Sequence, residues 1–338
     1  MKAARFFLFV LAFSVMFSGC SCLRNAINAD EGTRWFLFSN FGASKVCPEM
    51  LKKGVPLKLA LLGTNSVGRF FPLQCAARVD DATRTMRLDI TGNGYVTLPF
   101  TKRVGFYAGM VVEFRPDFRM EEDALYLWGK YNRTIQAPDL RLLGVENPII
   151  QLATQTPAGN VATILGKLVV ESELSRGFTV VREDSGDSFA LGILTPPAKP
   201  TQYFQSTGDH VVMAQDIVTL QAQGREYLGP IEVASDNAAI YATLRVAGAT
   251  VDYSLVSKQL GDAWMQPYLA AQPLAAPPAT PIAGGQAMGD HRRTFTVPRG
   301  YYYLVAENRA PSATAVLGMP LPFEQVATVT YSLEVGSR

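Results

Sequence analysis

The stretch "TRTMRLDITGNGYVTLPF", Thr83 to Phe100, decides the fold class. Residues that favour strands lie on both sides of Asn93-Gly94, a dipeptide that accepts the positive φ of a tight turn, so the stretch reads as a β-hairpin. Outward from it, "GMVVEFRPDF" and "DALYLWGKY" continue as strands, and "GFTVVREDSGDSFALGIL" reads as two strands joined by an acidic turn. Upstream, "CPEMLKKG" reads as a short helix ended by Gly54. A longer helix is expected over 157–176, with Thr156 as cap, Pro157 in its first turn, an apolar face at Val161, Ile164, Leu165 and Leu168, and Gly177 as its stop.

The β character returns after "TPPAKPT", Thr195 to Thr201, whose three prolines make a stiff linker. "HVVMAQDIVTLQA", "GPIEVAS", "AIYATLRVAG" and "TVDYSLVS" are strand candidates, and "KQLGDAWMQPYLA" is a short helix interrupted near Pro267. "AQPLAAPPATPIAGGQAMG" offers little to bury and reads as a surface loop. The expected fold is mainly β with a few helices, in two β-rich domains, 46–195 and 202–338, joined by a Pro-rich linker at 196–201. The last strands, through "TFTVPRGYYYLVAEN" and "VATVTYSLEVG", resemble the accessory β-sandwich modules of exported proteins, which makes the second domain sandwich-like. Such modules carry many functions.

The start of the chain names a compartment. Lys2 and Arg5 precede a run of twelve residues, Phe6 to Phe17, that is apolar except at Ser14. As a helix it reaches about 18 Å, short of a hydrocarbon core of about 30 Å, so it reads as an export signal. Ser18-Gly19 then lead into Cys20. "FSGC" resembles the lipobox of bacterial lipoproteins, with Phe17 where the family usually carries Leu. The resemblance implies cleavage after residue 19 and a lipid on Cys20, with 20–45 as lipidated N-terminus and tether. Ser21 in place of Asp implies outer-membrane retention. A membrane partner through the lipid follows, and several acyl chains make such an anchor durable.

Loss of residues 1–19 leaves 319 residues, and 31 basic residues less Lys2 and Arg5 give 29, equal to the 29 acidic ones. A neutral chain without a basic patch argues against nucleic-acid binding. No later segment has the length of a transmembrane helix. Cys47 and Cys75 either pair, closing a loop worth about 3 kcal/mol, or remain two buried thiols.

Chemistry is sparse. The two histidines of the chain share one tripeptide, Gly208-Asp209-His210 and Gly289-Asp290-His291. Asp209, His210, Asp290 and His291 could converge on a metal, since imidazole and carboxylate suit zinc; alternatively each tripeptide is turn chemistry just before a strand. No nucleophile elbow or phosphate loop occurs, and no cofactor is called for. Carboxylate groups occur at Asp80-Asp81, Glu121-Glu122-Asp123 and Asp184 with Asp187. A glycosidase needs two carboxylates facing one cleft, a separation that sequence does not give. Asp184 to Asp187 lacks the ligand spacing of a calcium loop and reads as a solvated hairpin turn. Tyr301 and Tyr303 alternate with Tyr302 on a strand, so one face turns tyrosine outward as a contact surface, or all sit at a core edge. The leading expectation is a lipid-anchored envelope protein with a non-enzymatic binding or scaffolding role and a protein partner. A hydrolase using His210 and His291 with acidic residues, and a carrier of lipid or another apolar ligand, are the alternatives.

Overall fold

A computed structural model describes residues 21–52, 54–58, 66–98, 102–147, 173–183, 186–199, 203–205, 210–310 and 325–338. The protein is mainly β, in two β-rich halves. The first half is an antiparallel meander, β2 (Ser66–Asp80), β3 (Thr85–Leu98), β4 (Lys102–Met120), β5 (Leu125–Val145), β6 (Phe178–Glu183) and β7 (Gly186–Leu191), with β1 (Val55–Lys58) beside β2. β3 alternates buried Met86, Leu88 and Ile90 with exposed Arg87 and Asp89, so one face lines a core. Four register shifts between β4 and β5 add bend and twist, and the sheet curls into a half-barrel.

The opening stretch corrects the hairpin expectation. β3 runs straight through Asn93-Gly94: Asn93 lies opposite Phe71 and Tyr107, Gly94 opposite Phe70 and Phe106. Glycine serves close approach here. A Cβ on Gly92 would lie 2.4 Å from the Phe71 carbonyl, and one on Gly94 would lie 2.6 Å from the Phe106 ring. Phe70 and Phe106 stack across the bare strand, ring centroids 6.4 Å apart. The turn comes earlier, at Asp81–Arg84, where the Asp80 carboxylate accepts from the amides of Ala82 and Thr83.

Where a tether is expected, the chain is helical: α1 (Ser21–Ala29), α2 (Glu31–Leu37), a π turn (Phe38–Gly42) and α3 (Ala43–Lys52). Ile27, Leu37, Phe38, Val46 and Met50 insert into the core of the half-barrel. Asp30 caps α2 by accepting from the Thr33 amide at 2.6 Å. Asn28 exchanges two hydrogen bonds with the Met120 backbone at the end of β4. The Cys47–Cys75 disulfide forms and ties α3 to β2, Cα atoms 5.4 Å apart. Cys20 and the expected signal peptide lie outside the described residues, as do residues 157–172 of the helix expected over 157–176; a single helical turn is described at Glu173–Ser175, before Gly177. Among the described residues no helix is long and apolar enough to cross a membrane.

The second half orders its strands β8-β13-β10-β12-β9: β8 (Val211–Leu220), β9 (Gly224–Val233), β10 (Ala238–Ser257), β12 (Gly300–Asn308) and β13 (Ala327–Ser337), with β11 (Ala283–Thr296) on the other side of β10. β10 joins two expected strands into one and bends between them. Ala238–Gly248 pairs with β13, whereas Asp252–Ser257 pairs with β12. Gly248 makes the corner with φ +89°, and a Cβ there would lie 2.2 Å from the Val326 carbonyl. The bend folds the sheet over one core, from Val218 through Leu228 and Leu255 to Leu333, and nearly closes it. α4 (Lys258–Leu269) follows β10, capped by the Ser257 hydroxyl. The first residues of the expected proline-alanine loop are irregular, but from Ala283 it is strand β11.

The halves share a third core. Phe71 and Tyr95 of the first sheet meet Tyr227, Trp264, Tyr268, Leu269 and Tyr303 of the second half. Gly105 and Gly144 are cross-strand neighbours on β4 and β5. Together they leave a bare patch that seats the end of α4, and a Cβ on Gly105 would lie 1.8 Å from the Leu269 carbonyl. The Pro-rich segment also stays close to the first half: Trp128 donates to the Leu194 carbonyl, and Lys199 pairs with Asp123 and Glu183.

Candidate functional site

His210 precedes β8 and stacks on Tyr241 of β10, ring centroids 4.0 Å apart. Its Nδ1 lies 3.3 Å from a Glu334 carboxylate oxygen. The other Glu334 oxygen accepts from Ser332 Oγ at 3.2 Å. The carboxylate therefore stands between hydroxyl and imidazole, so the histidine is not placed to take the serine proton. A bare Gly336 lets the imidazole lie this close, since a Cβ there would be 2.1 Å from the ring.

His291 lies inside β11, not before a strand, opposite Leu244 of β10. Its Nε2 lies 3.1 Å from the Tyr253 hydroxyl, which also accepts from Arg293 at 3.2 Å. Tyr241 and Leu244 are three residues apart on one strand and face opposite ways, so the two histidines sit on opposite faces of β10. Asp290 pairs with Arg245 at 2.7 Å on the exposed face. Asp209 lies outside the described residues. Among the described residues no group of three or more metal-ligating side chains forms. The expected convergence of His210 with Asp290 and His291 is not what the fold builds, because odd strand spacing separates the rings.

The tyrosines divide as well. Tyr301 is 43 % exposed and donates to Glu232. Tyr302 is buried in the core of the second sheet and donates to the Pro298 carbonyl; Tyr303 is buried at the junction of the halves and donates to Asp262. The contact surface expected at Tyr301, Tyr302 and Tyr303 thus contracts to Tyr301. The first half and α4 cover the face where Tyr303 points.

A group of deeply buried charged residues lies at that junction, and nothing in the sequence pairs them. Arg69 of β2 donates to Glu226 of β9 at 2.7 Å, to the Gly54 carbonyl at 3.0 Å and to the Tyr331 hydroxyl at 2.9 Å. Tyr95 donates to the second Glu226 oxygen at 2.9 Å and accepts from the Tyr227 amide. Burial pushes the Glu226 carboxyl up while Arg69 pulls it down, and burial pushes the Tyr95 and Tyr331 hydroxyls up, so both stay protonated, Tyr95 donating to Glu226 and Tyr331 accepting from Arg69. Next door, Arg225 pairs with Glu307, donates to Tyr227 and the Ala275 carbonyl, and lies 4.1 Å over the Trp264 ring. These groups satisfy one another and lock the halves together.

Other carboxylates are engaged in turns and ion pairs. Asp81 accepts from Trp35, Glu121 pairs with Arg119, and Asp123 pairs with Lys199. An apolar cavity of about 20 Å³ lies under α3, lined by Met50, Leu57, Phe70, Ile90 and Met110, with Glu173 at one side. That is room for about one water.

The most open element is β11. It pairs along its length with β10 and with no other strand among the described residues. Ala287 and Phe295 are its only buried side chains, and Met288 is 72 % exposed.

No protein-family model matches the chain, and no curated protein does. Among solved structures it is similar to a glycoside hydrolase family 43 arabinoxylan arabinofuranohydrolase from Bacillus subtilis in complex with cellotetraose, at 8 % identity and TM-score 0.20, covering 79 % of this chain and 67 % of that one. It is also similar to the coconut allergen cocosin, at 10 % identity and TM-score 0.15, covering 79 % of this chain and 87 % of that one. At such TM-scores neither likeness carries an argument about fold or activity.

Proposed function

We propose that this chain is a lipid-anchored protein of the cell envelope, held at the outer membrane through Cys20, with a binding or scaffolding role. One observation carries the reading: the residues that follow Cys20 are helical from Ser21 on, and α1 to α3 are built into the core of the first half. A lipid on Cys20 would therefore join directly to a body of two interlocked sheets. A rigid body held close to a membrane suits presentation of a fixed surface to a partner. Cys20→Ser is expected to abolish acyl labelling and to move the chain from the membrane fraction to the soluble fraction. Unchanged labelling overturns the anchor.

The binding role is tested by cross-linking in intact envelopes and identification of the captured protein. Stoichiometric metal, lost in His210→Ala and His291→Ala, would favour a hydrolase instead. Lipid retained through purification in the anchor-free Cys20→Ser chain would favour a carrier and would require the cavity under α3 to widen.

A further inference from the structure

β11 offers an edge of fourteen residues, Ala283–Thr296, that among the described residues is paired on one side only. An exposed edge of this length presents a row of backbone donors and acceptors ready to pair with another strand. Gly289–Thr296 runs in unbroken register against Ala239–Val246, and only Gly289 at its start, with φ +66°, departs from extended backbone. Asp290 and Arg292 lie on the same outward face as Arg245, and Asp290 already pairs with Arg245.

We propose that the edge is occupied by a second copy of this chain, whose β11 adds antiparallel about a two-fold axis at His291. The inference does not depend on the lipid anchor. A two-fold axis that extends the sheet keeps the outer faces of both copies on one side, so opposed residues must share parity and the axis must pass through a residue. Three such registers are near the middle of this segment. Centring on Asp290 opposes the two carboxylates, and centring on Arg292 opposes the two guanidinium groups. Centring on His291 sets Asp290 of each copy against Arg292 of the other, twice. A row of alternating charge then runs from Arg245 through Asp290 into the second copy. In the same register the bulky Arg293 falls opposite Gly289, where a Cβ would have nothing within 4 Å.

The test is the self-association of the full chain, in detergent, by sedimentation velocity over a range of concentrations. The unaltered chain is expected to dimerise. Asp290→Arg and Arg292→Asp each set like charges across the axis and are expected to weaken association by about tenfold or more. The double exchange Asp290→Arg with Arg292→Asp restores unlike pairs and is expected to return the constant to within about threefold of the original. Rescue separates a register effect from damage to folding, and circular dichroism of each variant checks the latter. A chain that stays monomeric, single variants without effect, or a double exchange no better than the singles would each overturn the proposal.

Discussion

Replacing Glu226 by Gln leaves Arg69 as a buried charge with only neutral partners, and the cost can be worked from its surroundings. Arg69 and Glu226 are both almost fully buried, 2.7 Å apart. Removing one member of such a pair costs about 3–5 kcal/mol, because the remaining charge keeps its desolvation penalty. Arg69→Met should cost a similar amount at neutral pH but less in acid. Glu226 can then take up a proton, whereas a guanidinium cannot lose one. The sign follows from the direction: without Arg69 the carboxyl, already raised by burial, rises further. The folded form then favours the protonated carboxyl, a gain fully present below its unfolded pKa and lost as pH rises through the folded one. The Arg69→Met penalty therefore grows from acid to neutral pH, while that of Glu226→Gln does not. Arg69→Met with Glu226→Leu removes both charges and should cost about 1–3 kcal/mol, for the carbonyl and hydroxyls left without partners, well below the sum of the singles. Urea unfolding followed by Trp264 fluorescence at the junction, over a range of pH, reads all three variants. Single costs under about 1 kcal/mol, or a double cost equal to the sum, would refute the account of the pair.

Gly105→Val should be among the most damaging single changes, costing more than about 4 kcal/mol, because its Cβ would overlap the Leu269 carbonyl; thermal unfolding against Gly109→Ala, whose added Cβ meets nothing closer than 3.5 Å, measures the difference. Glu113 accepts from Arg133, Asn132 and Arg87, and the Arg133 hydrogen bond leads in holding its carboxyl below the usual range despite burial. A lowered carboxylate stabilises above its unfolded pKa, and that contribution is lost as pH falls through the folded value. Glu113→Gln should accordingly flatten the fall in stability between about pH 5 and pH 3, as read by denaturant midpoints.

Much of the architecture is legible in local pattern. β-branched and aromatic runs mark β4 to β9, and "KQLGDAWMQPYLA" marks α4, because these signals live within a few residues. The Asn93-Gly94 reading failed because a dipeptide shows that a turn is permitted but not that two rings from neighbouring strands need the space. The short helix expected at "CPEMLKKG" forms as the end of α3, but the helical run from Ser21 to Val46 is not legible because its buried residues do not keep one period: the π turn at Phe38–Gly42 shifts the apolar face between Leu37 and Val46. Alternation correctly parts Tyr302 from Tyr303, but what covers each face is decided by elements distant in sequence. The junction was the least legible feature. Arg69 and Tyr331 are 262 residues apart, and neither carries a local sign that it will be buried with the other. Adjacency likewise made the two Gly-Asp-His tripeptides look alike, although one flanks a strand and the other lies within one.

The position of β13 has a consequence for the order of assembly. It lies between β8 and β10, so the second sheet has a gap at its middle until Ala327–Ser337 arrives. β8 otherwise pairs with another strand only at the single parallel pair Ser66–Val218 among the described residues. A chain cut short before Ala327 would carry every other strand and still leave β8 without its long partner and Arg69 without Tyr331. Completion of the second sheet thus requires a long-range pairing, and a chain without its last strand exposes two unpaired strand edges rather than one.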